Sequence, residues 1–150
     1  MYEFLRYRVR DAMTPHPVTI TPDTPIRELE RLFEVHDFNG VPVVDGQGQL
    51  QGMATKFDVL KAFELNTECL APHYAEIMAQ PVKTVLTPDP VTIDPDLPLS
   101  RLLQQLVEMR VKSFPVVDEG RLVGIVSRED VLRALRRATS GQELQQEKQS

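Results

Sequence analysis

The sequence predicts an α+β fold made from two copies of one strand–helix–strand–strand–helix unit, and three echoes within the chain predict it. Met13-Thr14-Pro15-His16-Pro17-Val18-Thr19-Ile20-Thr21-Pro22-Asp23 returns 73 residues later as Leu86-Thr87-Pro88-Asp89-Pro90-Val91-Thr92-Ile93-Asp94-Pro95-Asp96. Val41-Pro42-Val43-Val44-Asp45 returns as Phe114-Pro115-Val116-Val117-Asp118. Gly52-Met53-Ala54-Thr55-Lys56-Phe57-Asp58 returns as Gly124-Ile125-Val126-Ser127-Arg128-Glu129-Asp130, now 72 residues on. The lost residue falls in a turn between strands, where a change of length is least disruptive. Repetition directs attention to what two copies build together.

Each element has a local reason. Thr21-Pro22-Asp23-Thr24-Pro25 reads as a helix entrance, with Thr24 as N-cap and Pro25 at the first helical position, where its missing N–H is no loss. Ile26, Leu29, Leu32 and Phe33 then mark one helical face, matched by Leu99, Leu102, Leu103 and Leu106. Val41–Val44, a turn at Asp45-Gly46-Gln47-Gly48, and Leu50–Ala54 read as a hairpin. The second copy is Phe114–Val117, Asp118-Glu119-Gly120 and Leu122–Val126. A helix follows each hairpin, from Asp58 and from Asp130. The expected division is repeat 1 over 9–63, a connecting helix or linker over 64–81, repeat 2 over 82–136, and a polar, disordered tail over 137–150.

Composition narrows the function classes. Each unit of roughly 55 residues is marginal as a lone core, so two must share one. The net charge of −5, with acids and bases interspersed, speaks against nucleic-acid binding, which needs a concentrated basic face. Arg6, Arg8 and Arg10 form a short basic cluster that reads as a solvated N-terminal element. Cys69 is the only cysteine, which excludes an internal disulfide and fits a reducing, cytoplasmic setting. No apolar stretch is long enough to span a membrane, and residues 1–13 lack the apolar core of a secretory signal.

No catalytic set is apparent. His16, His36 and His73 are dispersed and pair with no nucleophile motif; metal-ligand spacings and glycine-rich phosphate loops are missing. His36 and Asp37 fall at a helix end, and Asp45 and Asp118 at hairpin turns, where Asp bonds locally. The expectation is therefore a protein that is not an enzyme and has no cofactor.

Gly52-x-x-Thr55-x-x-Asp58 carries the sharpest chemistry. Thr55 and Asp58 lie three apart at a helix start and so share a side. An ionised carboxylate only accepts hydrogen bonds, and two vicinal ribose hydroxyls are a matching pair of donors. Thr55 and the free N–H groups of the helix start can face a phosphate. Ser127 and Asp130 repeat the set. The competing reading is a capping box, in which the same residues only close the helix end.

In this order and twice over, from Val9 to about Leu135, these motifs resemble the CBS domain, named after cystathionine β-synthase. The resemblance implies two repeats packed through their sheets with pseudo-two-fold symmetry, two clefts between them, and sensing of adenosyl ligands: AMP, ADP, ATP or S-adenosylmethionine. It implies that Lys112 and Ser113 face the cleft of Asp58, and Asn39 that of Asp130, with Arg128 and Lys56 adding charge. On that basis the Asp58 cleft would take the more highly phosphorylated ligand. Pro17 and Val18 would flank one adenine and Pro90 and Val91 the other, with Met53 and Ile125 lining the slots or serving as core. The expected function is a regulatory adenine-nucleotide sensor, a homodimer acting on a protein partner, without membrane or nucleic acid. The alternative is a ligand-free dimerisation or docking module.

Overall fold

The computed structural model describes residues 2–64 and 73–149, with side chains described as far as residue 140. Cys69 and part of the expected 64–81 connection lie outside the described residues. The chain divides into two compact units. Unit 1 comprises Met1–Pro17, Val91–Glu119 and Val123–Ser150; unit 2 comprises Val18–Pro90 and Gly120–Leu122.

Unit 2 is built on a three-stranded antiparallel sheet in the order β2-β3-β4, formed by Gly40–Val44, Leu50–Thr55 and Thr87–Pro88. Alternation of apolar residues buries Val41, Val43 and Ala54. Helix α3 (Ile26–Val35) closes the core with Ile26 and Leu29 fully buried, as its apolar spacing predicts. Its N-cap is Pro25, one residue later than expected, because Thr24 Oγ1 is engaged by the Thr21 N–H at 3.0 Å. Ile20 adds a parallel bridge to Val43. The hairpin turn works through Asp45, whose Oδ1 accepts from Gln47 N at 2.8 Å and Gln49 N at 3.0 Å. Helix α4 (Lys56–Ala62) follows β3 directly. A further helix, α5 (Tyr74–Ala79), ends before Pro81 and buries Met78.

Unit 1 repeats the plan. Its sheet runs β1-β6-β5, formed by Thr14–Pro15, Arg121–Ser127 and Ser113–Asp118. Two short helices, α1 (Tyr2–Arg6) and α2 (Val9–Ala12), precede it, and α6 (Leu99–Met109) buries Leu99, Leu102 and Leu106. Ile93 bridges Val116 in parallel, as Ile20 does Val43. The tight turn at Glu119 and Gly120 holds both residues at positive φ (51° and 81°), a twist that suits a two-residue hairpin. Helix α7 (Arg128–Gln149) runs through the stretch expected to be a disordered tail. Ala134 and Ala138, four apart, are both buried, and the Gln, Glu, Leu and Lys that follow are good helix formers.

The lead segment of each repeat serves the other repeat's sheet. β1, in front of repeat 1, pairs with β6, with Thr14 opposite Ile125. β4, in front of repeat 2, pairs with β3, with Thr87 opposite Met53. Backbone bonds extend the exchange: Val82 N donates to Thr24 O (2.8 Å) in unit 2, and Val9 N to Leu97 O (2.9 Å) in unit 1. Compact units and sequence repeats therefore have different boundaries, with the chain passing from one unit to the other after Pro17, after Pro90, and briefly at Gly120–Leu122.

Candidate functional site

The site in unit 2 begins with a glycine. A Cβ on Gly52 would collide with the Leu86 side chain and lie 2.5 Å from the Thr87 carbonyl. Only glycine lets β4 approach β3 this closely. That approach delivers the Thr87 hydroxyl to Asp58 Oδ1 at 3.1 Å. Asp58 sits at the third position of α4 and is fully buried. Its Oδ2 accepts from Thr55 N (2.8 Å) and Thr55 Oγ1 (3.0 Å), while Asp58 N donates to Thr55 Oγ1 (3.3 Å). Lys61 Nζ lies 2.8 Å from Oδ1. The capping box is thus formed through Oδ2, and Oδ1, outside it, is held by Thr87 and Lys61.

Unit 1 rebuilds the site with small changes. A Cβ on Gly124 would lie 2.7 Å from Met13 Sδ and 2.9 Å from the Thr14 carbonyl. Asp130 Oδ2 accepts from Ser127 N (2.9 Å) and Ser127 Oγ (3.0 Å). Its Oδ1 takes Arg133 NH1 at 3.1 Å. Among the described residues no bond from Thr14 matches that of Thr87 to Asp58. Asp130, Arg133 and Arg137 line a cavity of about 190 Å³ with Tyr7, Asp11, Ala12, Met13 and Ala134.

The residues expected from sequence are distributed as follows. Thr55 and Asp58 are hydrogen-bonded in unit 2, which also holds Met53, Pro90, Asn39 and Val18. Ser127 and Asp130 are hydrogen-bonded in unit 1, which also holds Ile125, Arg128, Pro17, Val91, Lys112 and Ser113. Lys112 is exposed, and its carbonyl accepts from Arg128 N at 3.0 Å; Arg128 Nε donates to the Val111 carbonyl at 2.9 Å. Val18 and Val91 are exposed, whereas Met53 and Ile125 are half-buried in their strands. His16 and Asp89, at matching positions just after β1 and β4, both have positive φ (50° and 48°), a strained conformation of the kind that gathers at binding sites.

Sequence reasoning missed three contributors: Thr87, Lys61 and Arg133. The available signal was the Thr-Pro pair repeated in front of each unit and a basic residue three positions after each Asp. Among the described residues no group of three or more His, Cys, Asp or Glu is placed to hold a metal ion, and no helix is long and apolar enough to cross a membrane.

Comparison with known proteins gives this geometry a context. The family model of the CBS domain matches twice, over residues 9–65 and 82–137. The CBS domain-containing protein YhcV of Bacillus subtilis (strain 168) is 31% identical over 123 residues, covering 82% of this chain and 81% of that protein. The crystal structure of CBSX2 in complex with AMP matches with a TM-score of 0.75 and 29% identity, over 89% of this chain and 98% of that one. The CBS domain pair of protein MJ0100, in complex with 5′-methylthioadenosine and S-adenosyl-L-methionine, matches with a TM-score of 0.69 and 27% identity, over 86% and 95%. The first curated relatives carry enzyme names, L-aspartate semialdehyde sulfurtransferase and inosine-5′-monophosphate dehydrogenase, and this chain spans about a fifth of their length.

Proposed function

Because this chain belongs to the CBS domain family and carries the domain twice, we propose that it is a regulatory module that binds adenine nucleotides reversibly and signals to a protein partner. The observation that carries this reading is the pair of buried carboxylates, Asp58 and Asp130, each fixed by a capping bond through Oδ2 with Oδ1 directed away from the cap. Fixed acceptors of this kind suit the two donors of a ribose diol. The complexes of similar CBS proteins with AMP and with S-adenosyl-L-methionine support an adenosyl ligand class. Thr55 and Ser127, at their helix starts, face the phosphate, Met53 and Ile125 line the adenine slots, and the backbone at Pro17, Val18, Pro90 and Val91 reads the adenine edge. Asn39, Lys112, Ser113 and Arg128 supply polar contacts to the rest of the ligand. The module performs no chemistry of its own and works as a cytoplasmic homodimer. Ligand shifts its conformation or assembly by as much as it prefers one state over the other.

Calorimetric titration with AMP and ATP tests the assignment. Asp58→Ala and Asp130→Ala each remove one binding event, and the double variant removes both. Unchanged binding in the double variant would overturn the assignment.

A second reading is a docking module without a ligand. It draws on an apolar groove of about 290 Å³ in unit 1, lined by Leu103, Leu106, Val107, Val131, Leu132 and Leu135 between two arginines, Arg110 and Arg128. That reading predicts a melting temperature unmoved by AMP, ATP or S-adenosylmethionine, where nucleotide sensing predicts a rise by linkage.

A further inference from the structure

Each buried carboxylate carries its own cation, three residues on. Lys61 Nζ lies 2.8 Å from Asp58 Oδ1, and Arg133 NH1 lies 3.1 Å from Asp130 Oδ1. In both units the capping bonds occupy Oδ2, so the cation holds the oxygen that a ribose diol needs. We propose that Lys61 and Arg133 set ligand selectivity: they favour phosphorylated adenosine over adenosine itself and over the cationic S-adenosylmethionine. This inference rests on the proposed nucleotide binding and names the ligand charge which those sites accept.

A ribose that takes Oδ1 releases the cation, which stays tethered within a side chain's length of the carboxylate. Both cationic side chains are about half exposed, so they can swing without unpacking the core. Lys61 also has a resting place, the Phe57 ring, 5.8 Å from its nitrogen. A phosphate gives the released cation a new, charge-assisted partner. Neutral adenosine gives it none, so the lost ion pair counts against binding. A sulfonium ligand adds a like charge beside it.

Unit 1 reinforces the effect. Arg137 follows Arg133 along the same face of α7, and both line the cavity with Asp130. The second carboxylate there, Asp11, is already engaged by Arg8 N at 2.8 Å. Unit 1 therefore offers two guanidiniums where the described part of unit 2 offers one ammonium at the carboxylate.

Calorimetry with AMP, adenosine and S-adenosylmethionine on the parent protein, Lys61→Met, Arg133→Met and their combination tests the proposal. The combined variant is expected to bind AMP about tenfold more weakly, the size of one lost charge-assisted contact. It should bind adenosine at least as tightly as the parent, because the competing cation is gone. Lys61→Arg with Arg133→Lys, which keeps both charges, should restore the preference for AMP and shows that the methionine variants fail through charge and not through folding. Equal losses for AMP and adenosine, or an unchanged ratio, would overturn the selectivity role while nucleotide binding stands. A parent protein that binds none of the three would overturn the proposed function and this inference with it.

Discussion

Asp58 and Asp130 occupy the same position in two copies of one motif, yet they are differently committed. An ionised carboxylate has about four acceptor positions. Among the described residues Asp58 has four donors: Thr55 N, Thr55 Oγ1, Thr87 Oγ1 and Lys61 Nζ. Among the same residues Asp130 has three: Ser127 N, Ser127 Oγ and Arg133 NH1. The missing donor is the counterpart of Thr87, which is Thr14. A ribose diol displaces two donors from Asp58 and one from Asp130, so the Asp130 site is expected to fill first. The cations point the same way. Arg133 and Arg137 both line the cavity with Asp130. A repeated motif thus fixes the position of the acid, while the lead strand beside it fixes how available the acid is.

The largest expected effect comes from the glycines that admit those lead strands. Gly52→Ala drives a methyl into the Leu86 side chain and the rigid Thr87 backbone, at a cost of about 3 kcal/mol. Gly124→Ala meets the flexible Met13 sulfur and the Thr14 carbonyl, 2.9 Å away, a looser backbone approach than the 2.5 Å at Gly52, and should cost about 2 kcal/mol. Thermal unfolding of the two variants measures the difference, and equal losses would remove the asymmetry between the lead strands. A smaller effect sharpens the comparison at the acids. Thr87→Val removes one hydrogen bond to Asp58 and should cost about 1 kcal/mol, whereas Thr14→Val, with no matching bond to lose, should stay within about 0.5 kcal/mol of the parent. Thr87→Val also leaves Asp58 with the same set of donors as Asp130, so nucleotide affinities at the two sites should converge.

The sequence made the repeated unit, its hairpins and its helices legible because each rests on local signals: apolar spacing, turn residues and helix entrances. The capping box was legible for the same reason, since Thr55 and Asp58 are three residues apart. Exchange of the lead strands was not. β1 and β4 are two residues long, too short for any alternation, and their partners are chosen by packing far along the chain. Thr87 therefore appeared only as half of a Thr-Pro echo. Lys61 and Arg133 were hidden because a basic residue three positions after an acid on a helix is ordinarily a solvated pair. The continuation of the C-terminal helix beyond residue 136 was hidden because Ala138 is small and its neighbours are polar, which masks a buried position.

Recognition of the ribose diol by Asp58 and Asp130 is tested most directly by calorimetric titration of the parent protein with AMP and with 2′,3′-dideoxy-AMP. The two ligands share base and phosphate and differ only in the hydroxyls that the carboxylates would accept. The dideoxy ligand is expected to bind about 10- to 100-fold more weakly. Equal affinities would contradict the account.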